Sequence, residues 1–233
     1  MPDFSRIEAV LFDVGQTFLY PDFPFLKNLL AEYDVSTEFE TLNKGAAAAR
    51  EKTFRHREQE NWKEYFTHWM QLAGAPEQKI PEILQRIFER HQREHFWNWL
   101  DPIAPEVFDQ LKNFGYRLGV ISNSDGSIAA AMKKFGLAKF FDCILDSRVV
   151  GVEKPNPKIF AMALQLLNLS AEKCVYVGDN YDRDVIGARG VGITPILLDP
   201  FEVVAERDVI RIKKLGELAG VLKKQASSQN NPN

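Results

Sequence analysis

The chain has 233 residues, 45% of them hydrophobic and 26% charged, with a net charge of −3 and a pI of about 5.9. That balance argues against a nucleic-acid or membrane surface as the main partner, and no apolar run approaches membrane-spanning length. The length suits one domain with an insertion, or two domains.

The two cysteines, Cys143 and Cys174, lie in apolar, strand-like contexts. They read as small core residues of a reduced, cytoplasmic protein rather than as a disulfide. The N-terminus shows no basic region followed by an apolar stretch, so no signal peptide is expected.

Residues 9–12, A-V-L-F, form an apolar run that ends abruptly in Asp13. Such a run predicts a strand buried on both faces, as in the centre of a parallel sheet. An acid at its carboxyl end sits where open α/β sheets hold ligands. Gly15 is expected to let the chain turn sharply, and Thr17 to offer a hydroxyl and backbone donors to an anion. Residues 20–24, Y-P-D-F-P, form a turn-rich link.

From residue 25 to about 97 the pattern is helical, with apolar faces such as Phe25, Leu29, Leu30, Tyr33 and Ile83, Leu84, Ile87, Phe88. No strand pattern interrupts it, which predicts an all-α insertion. Its aromatic stripe of Trp62, Tyr65, Phe66 and Trp69 reads as core. His56, His68, His91 and His95 fall in the same stretch without metal-ligand spacing.

Strands and helices then alternate. Helix 105–114 is followed by Gly115, strand 117–121 by S-N-S-D-G, and strand 141–145 by a link to K-P-N-P. After helix 158–167, strand 174–177 ends in G-D-N-Y-D-R-D. Strand 194–198 and an edge strand near 209–212 precede a last helix, 218–222, and the tail from Gln225 is polar enough to predict disorder. Alternation of this kind predicts a parallel, doubly wound α/β sheet whose strand ends share one rim.

Four of those ends are chemically loaded. Asp13 brings a carboxylate, Ser122 and Asn123 a hydroxyl and an amide, Lys154 a cation, and Asp179 and Asp184 two more carboxylates. Hard oxygen ligands beside a lysine suit Mg²⁺-assisted chemistry on a phosphate, with Asp13 and Asp179 bridging the ion and Asp13 attacking as nucleophile. Each residue also has a plainer role available. Ser122 or Asn123 would serve as a helix cap, Lys154 as a solvated turn lysine, and Asp182 with Arg183 as a surface pair.

Four segments, L-F-D-V-G-Q-T, V-I-S-N-S-D, E-K-P-N-P-K-I-F and V-G-D-N-Y-D-R-D, resemble in order and spacing the haloacid dehalogenase-like (HAD) hydrolase superfamily. The resemblance implies a Rossmann-like core over residues 1–20 and 101–224 and a helical cap over 21–100, with 225–233 as tail. It implies Asp13 as nucleophile, Ser122 as phosphate-binding hydroxyl and Lys154 as the residue that orients both. Thr17 and Asn123 join Ser122 and Lys154 around the substrate. Mg²⁺ would be held by Asp13, Asp179 and the carbonyl of Gly15, with Asp184 supporting from behind. Asn180 would meet the metal through water or only shape the loop. A cap placed directly after the nucleophile strand would act as a lid, hinged through Pro21 and Pro24 and again near residues 99–105.

One departure stands out. Phosphatases of this superfamily usually carry a second Asp two residues after the nucleophile, to protonate the leaving oxygen; here that position is Gly15. Three functions follow. The first is a Mg²⁺-dependent phosphatase acting on a small phosphate ester, either slowed by the missing acid or helped by a proton donor elsewhere, such as one from the cap. The second is a metal-independent 2-haloacid dehalogenase, whose halide needs no proton but whose substrate carboxylate would need a cap arginine such as Arg50, Arg55 or Arg57. The third is a non-catalytic binding or regulatory protein. Nothing in the sequence specifies the substrate or an oligomer.

Overall fold

The computed structural model describes residues 4–55 and 61–226. Its strands are β1 (Ala9–Phe12), β2 (Leu19–Pro21), β3 (Trp97–Leu100), β4 (Arg117–Ser122), β5 (Cys143–Asp146), β6 (Cys174–Gly178), β7 (Thr194–Leu198) and β8 (Ile210–Ile212). The chain divides into two compact units. The first holds the described residues of 1–18, 100–200 and 206–233; the second holds residues 19–99 and 201–205.

The first unit is built on a six-stranded sheet in the order β5-β4-β1-β6-β7-β8, each neighbouring pair parallel. All four residues of β1 are buried, as a strand covered on both faces requires. On one face Phe12, Phe18 and Phe108 pack edge-on, with ring centroids 5.1 to 6.3 Å apart. On the other, Leu11 and Tyr176 meet Ile159, Phe160 and Ala163 of the helix Pro157–Leu167. Each such side chain contributes about 1.5–3 kcal/mol by leaving water. Gly119 of β4 is required by close packing: a Cβ there would lie 2.7 Å from both Cys143 Sγ and Leu11 Cδ2. Because β1 has β4 on one side and β6 on the other, the strand order switches at its carboxyl end, where such sheets leave a crevice. Both cysteines are free thiols in the core.

The second unit contains the helices Phe23–Ala31, Phe39–Phe54, Trp62–Leu72 and Ile80–Arg93. Asp22 caps the first and Asn61 the third, each accepting a backbone N–H. Leu26, Leu42, Tyr65, Trp69 and Ile83 are fully buried in its core, and the indole of Trp69 donates to the carbonyl of Leu42 at 2.9 Å.

Among the described residues from 23 to 96 the elements are helical, as expected, but the links on either side are not simple turns. β2 and β3 pair as a two-stranded sheet at the ends of this unit. Strands of three and four residues are too short to show a period of two, and their stabilising contacts, such as Tyr20 against Trp99 at 5.9 Å, are distant in sequence. The last helix, Leu218–Ala226, extends two residues into the expected tail, and 227–233 lie outside the described residues, as does His56. Among the described residues no helix is long and apolar enough to cross a membrane.

Candidate active site

The ladder of β1 runs on past Phe12: the backbone N–H of Asp13 donates to Val177 O at 2.8 Å, which seats Asp13 beside the end of β6. There Gly178 leads into Asp179, and a single wide helical turn, Tyr181–Ile186, carries Asp184 back towards the strand. Carboxylate oxygens of Asp13, Asp179 and Asp184 all lie within 4.8 Å of one another, and all three residues are buried. Gly178 makes this approach possible, because a Cβ on it would fall 2.3 Å from Asp184 Oδ2.

Lys154 is only 2% exposed, so it is not a solvated turn lysine. Its Nζ donates to Asp13 Oδ1 at 2.5 Å, to Asp184 Oδ1 at 2.7 Å and to the hydroxyl of Tyr176 at 2.9 Å. Burial opposes its charge, but the carboxylates of Asp13 and Asp184 outweigh that and hold the ammonium above its ordinary range. Burial pushes Asp13 up; Lys154 offsets part of this and Asp184 adds to it, leaving the carboxyl above its usual value. The cluster thus sets three buried carboxyl groups beside one hydrogen-bonded ammonium. Hard carboxylate oxygens gathered this closely fit a divalent cation such as Mg²⁺.

The backbone of Lys154 is fixed as firmly as its side chain. Asn123 accepts from Lys154 N at 2.8 Å and donates to Lys154 O at 3.0 Å, using both ends of its amide. Arg183 donates to the same carbonyl at 2.9 Å and is buried rather than lying on the surface. Asn180 accepts from Arg183 N, and its own N–H donates to Asp184 Oδ2, so it shapes this loop.

Thr17 is fully buried and directs its hydroxyl at Asp13 Oδ2, 3.3 Å away. Ser122 is buried at the end of β4. The helix Ile128–Lys134 begins five residues beyond Asn123, and the acceptor for its first N–H is Asp146, so neither Ser122 nor Asn123 caps it. Asp146 also accepts from Gly126 N and Arg148 N and so ties down the loop after β4. Gly15 is half-buried and is not among the glycines with positive φ; the left-handed residue of this turn is Gln16, at φ 56°. The sharp turn expected at Gly15 is thus made one residue later.

Three side chains here carry no mark in the sequence. Asp146 ends an apolar run as Asp13 does, Arg183 looks like any charged loop residue, and Tyr176 looks like one more residue of a core strand.

Residues 7–192 match the family model of the haloacid dehalogenase-like hydrolases. Human haloacid dehalogenase-like hydrolase domain-containing protein 3 is 32% identical over 146 residues, 60% of this chain and 58% of that protein. The chain spans a little over half the length of this and the other vertebrate relatives it matches. Glyceraldehyde 3-phosphate phosphatase of Methanopyrus kandleri is 31% identical over 202 residues, 82% of this chain and 83% of that one. The crystal structure of a HAD phosphatase from Thermococcus onnurineus superposes with a TM-score of 0.61 at 23% identity, over 93% of this chain and 98% of that one, and shares its fold. With most of its length matched by the family model, a parallel sheet of the same fold and its acidic cluster at the switch point, the chain belongs to the haloacid dehalogenase-like hydrolase family.

Proposed function

We propose that the protein is a Mg²⁺-dependent phosphatase that acts on a small phosphorylated metabolite through a phosphorylated Asp13. The observation that carries this reading is the gathering of three buried carboxyl groups, Asp13, Asp179 and Asp184, within 4.8 Å of one another beside Lys154. A metal-independent dehalogenase gives these three closely gathered, buried carboxyl groups no cation to hold, although like charges so close oppose one another. Relatives named glyceraldehyde 3-phosphate phosphatase and ribulose-1,5-bisphosphate 5-phosphatase support a phosphate ester as substrate.

Asp13, Asp179 and the carbonyl of Gly15 would hold the ion, and Asp184 would support it from behind. Bound there, Mg²⁺ supplies positive charge that lets an anionic phosphate approach an anionic carboxylate. An oxygen of Asp13 forms a bond to phosphorus as the ester P–O bond breaks. Lys154 holds Asp13 in line, Ser122 and Thr17 offer hydroxyls to the phosphoryl oxygens, and Asn123 acts by fixing Lys154. The departing alkoxide takes its proton from water, because Gly15 has none to give. A second water then attacks phosphorus, releasing orthophosphate and restoring Asp13. A positioned acid contributes roughly 10² to 10⁴-fold, so turnover of poor leaving groups is slow here.

The test is a panel of phosphate esters, glyceraldehyde 3-phosphate among them, and 2-haloacids, each with and without Mg²⁺. Phosphate release abolished by EDTA is expected. Calorimetry should find Mg²⁺ binding to the parent and none to Asp179→Ala; equal affinity in both would exclude this metal site. EDTA-insensitive halide release would replace the phosphatase reading with the dehalogenase, and no turnover of any compound would leave a binding protein.

A further inference from the structure

The ammonium of Lys154 has three N–H donors, and three acceptors meet them: Asp13 Oδ1, Asp184 Oδ1 and the phenol of Tyr176. Two of these are carboxylates of the acidic cluster. The third is neutral, fully buried and belongs to none of the four sequence segments that mark the site.

Tyr176 lies in β6, level with Leu11 of β1. Its hydroxyl donates to the carbonyl of Ile121 at 3.0 Å. Ile121 belongs to β4, and β1 lies between β4 and β6, so the side chain reaches past the nucleophile strand to the one beyond. Asp184 also lies within hydrogen-bonding reach of the phenol, and whichever acceptor takes its one O–H, the oxygen's lone pairs are left for Lys154. The ring is itself held, edge-on to Phe160 with centroids 5.2 Å apart.

A lysine is a point charge on a flexible stem, aimed by its acceptors rather than by its own shape. We propose that Tyr176 is a positioning residue: its phenol holds Lys154 Nζ against the carboxylate of Asp13, and its bond to Ile121, the residue before Ser122, ties that geometry to the end of β4. The inference rests on Lys154 acting at the site as proposed above.

The test is Tyr176→Phe, read in two ways. In ¹⁵N-lysine-labelled protein, a buried and fully hydrogen-bonded ammonium exchanges slowly and gives a resolved cross-peak, assigned by its loss in Lys154→Arg. That signal should broaden or vanish in Tyr176→Phe. With p-nitrophenyl phosphate, kcat should fall about tenfold while KM stays within about twofold, since the lost contact acts on the nucleophile rather than on substrate affinity. Phe160→Leu, which disturbs the same core without touching the phenol, should leave the Lys154 signal in place. Should Tyr176→Phe fail to fold, parent protein grown with 3-fluorotyrosine, a weaker acceptor, should shift the Lys154 signal. An unmoved signal in both overturns the inference. So does a kcat within about twofold of an active parent, even if the signal moves. A parent that hydrolyses no phosphate ester defeats the functional reading instead, while the ammonium signal still decides whether Tyr176 holds Lys154.

Discussion

Replacing Gly178 with alanine tests how tightly the acidic cluster is built. The added Cβ would lie 2.3 Å from Asp184 Oδ2, 2.4 Å from its Cγ and 2.7 Å from its Cβ. Asp184 has little room to retreat. It is 1% exposed, its Oδ1 is held by Lys154 at 2.7 Å, and its Oδ2 by the N–H of Asn180 at 2.9 Å. Overpacking costs about 1–3 kcal/mol, and each charge-assisted hydrogen bond broken adds about 1.5–3. A loss of about 3–5 kcal/mol is expected. Gly220→Ala supplies the opposite sign: no atom lies within 4 Å of its Cβ position, and it sits inside the helix Leu218–Ala226. There alanine should stabilise by up to about 1 kcal/mol. Urea unfolding should be followed by circular dichroism, because all four tryptophans, Trp62, Trp69, Trp97 and Trp99, lie in the second unit and report on it alone. If Gly178→Ala unfolds within about 0.5 kcal/mol of the parent, the close approach of Asp184 does not hold.

Gly15→Asp should speed hydrolysis of alkyl phosphates more than of aryl phosphates, because a proton helps the poorer leaving group most; no strain from a positive φ opposes the change. Equal, fast rates on both classes in the parent would mean that another residue supplies the proton. Burial pushes the thiols of Cys143 and Cys174 up to about 11 and about 12. At pH 8 roughly one thiol in 10³ and one in 10⁴ would be ionised, so iodoacetamide should label both slowly in native protein and fast in urea; equal rates would refute their burial. Asp142 is pushed up by partial burial, but bonds from Leu118 N and Lys112 hold it below the ordinary carboxylate range. Its contribution is complete above the unfolded value and lost as pH falls through the folded one. Asp142→Asn should therefore destabilise at about pH 7 and cost little at about pH 2, as thermal melts at both would reveal.

What the sequence makes legible here depends on whether a residue's role is local. Strands β1, β4, β6 and β7 can be read directly, because burial on both faces leaves an unbroken apolar run with a polar end. The same polar ends let Asp13, Lys154, Asp179 and Asp184 be picked out as a set, and the fold brings them together. β2 and β3 escape because three or four residues are too few to establish an alternation, and each is stabilised by a partner more than seventy residues away. Arg183 and Asn123 escape differently: their side chains are visible as polar, yet both act on the backbone of Lys154, which no pattern along the chain encodes.

Tyr176 is the intermediate case. In C-V-Y-V-G a hydroxyl is carried into a strand that is otherwise apolar and buried. Burying a hydroxyl without a hydrogen bond costs about 1–3 kcal/mol, so its position alone implies that a partner exists. The identity of that partner is another matter. Lys154 lies 22 residues upstream and Ile121 lies 55, on elements that meet only when the sheet is assembled in the order β4-β1-β6. The demand for a partner is local and the supply is topological. A tyrosine inside a buried strand next to a catalytic strand end is therefore a reason to ask which charged group it holds, before it is counted as core.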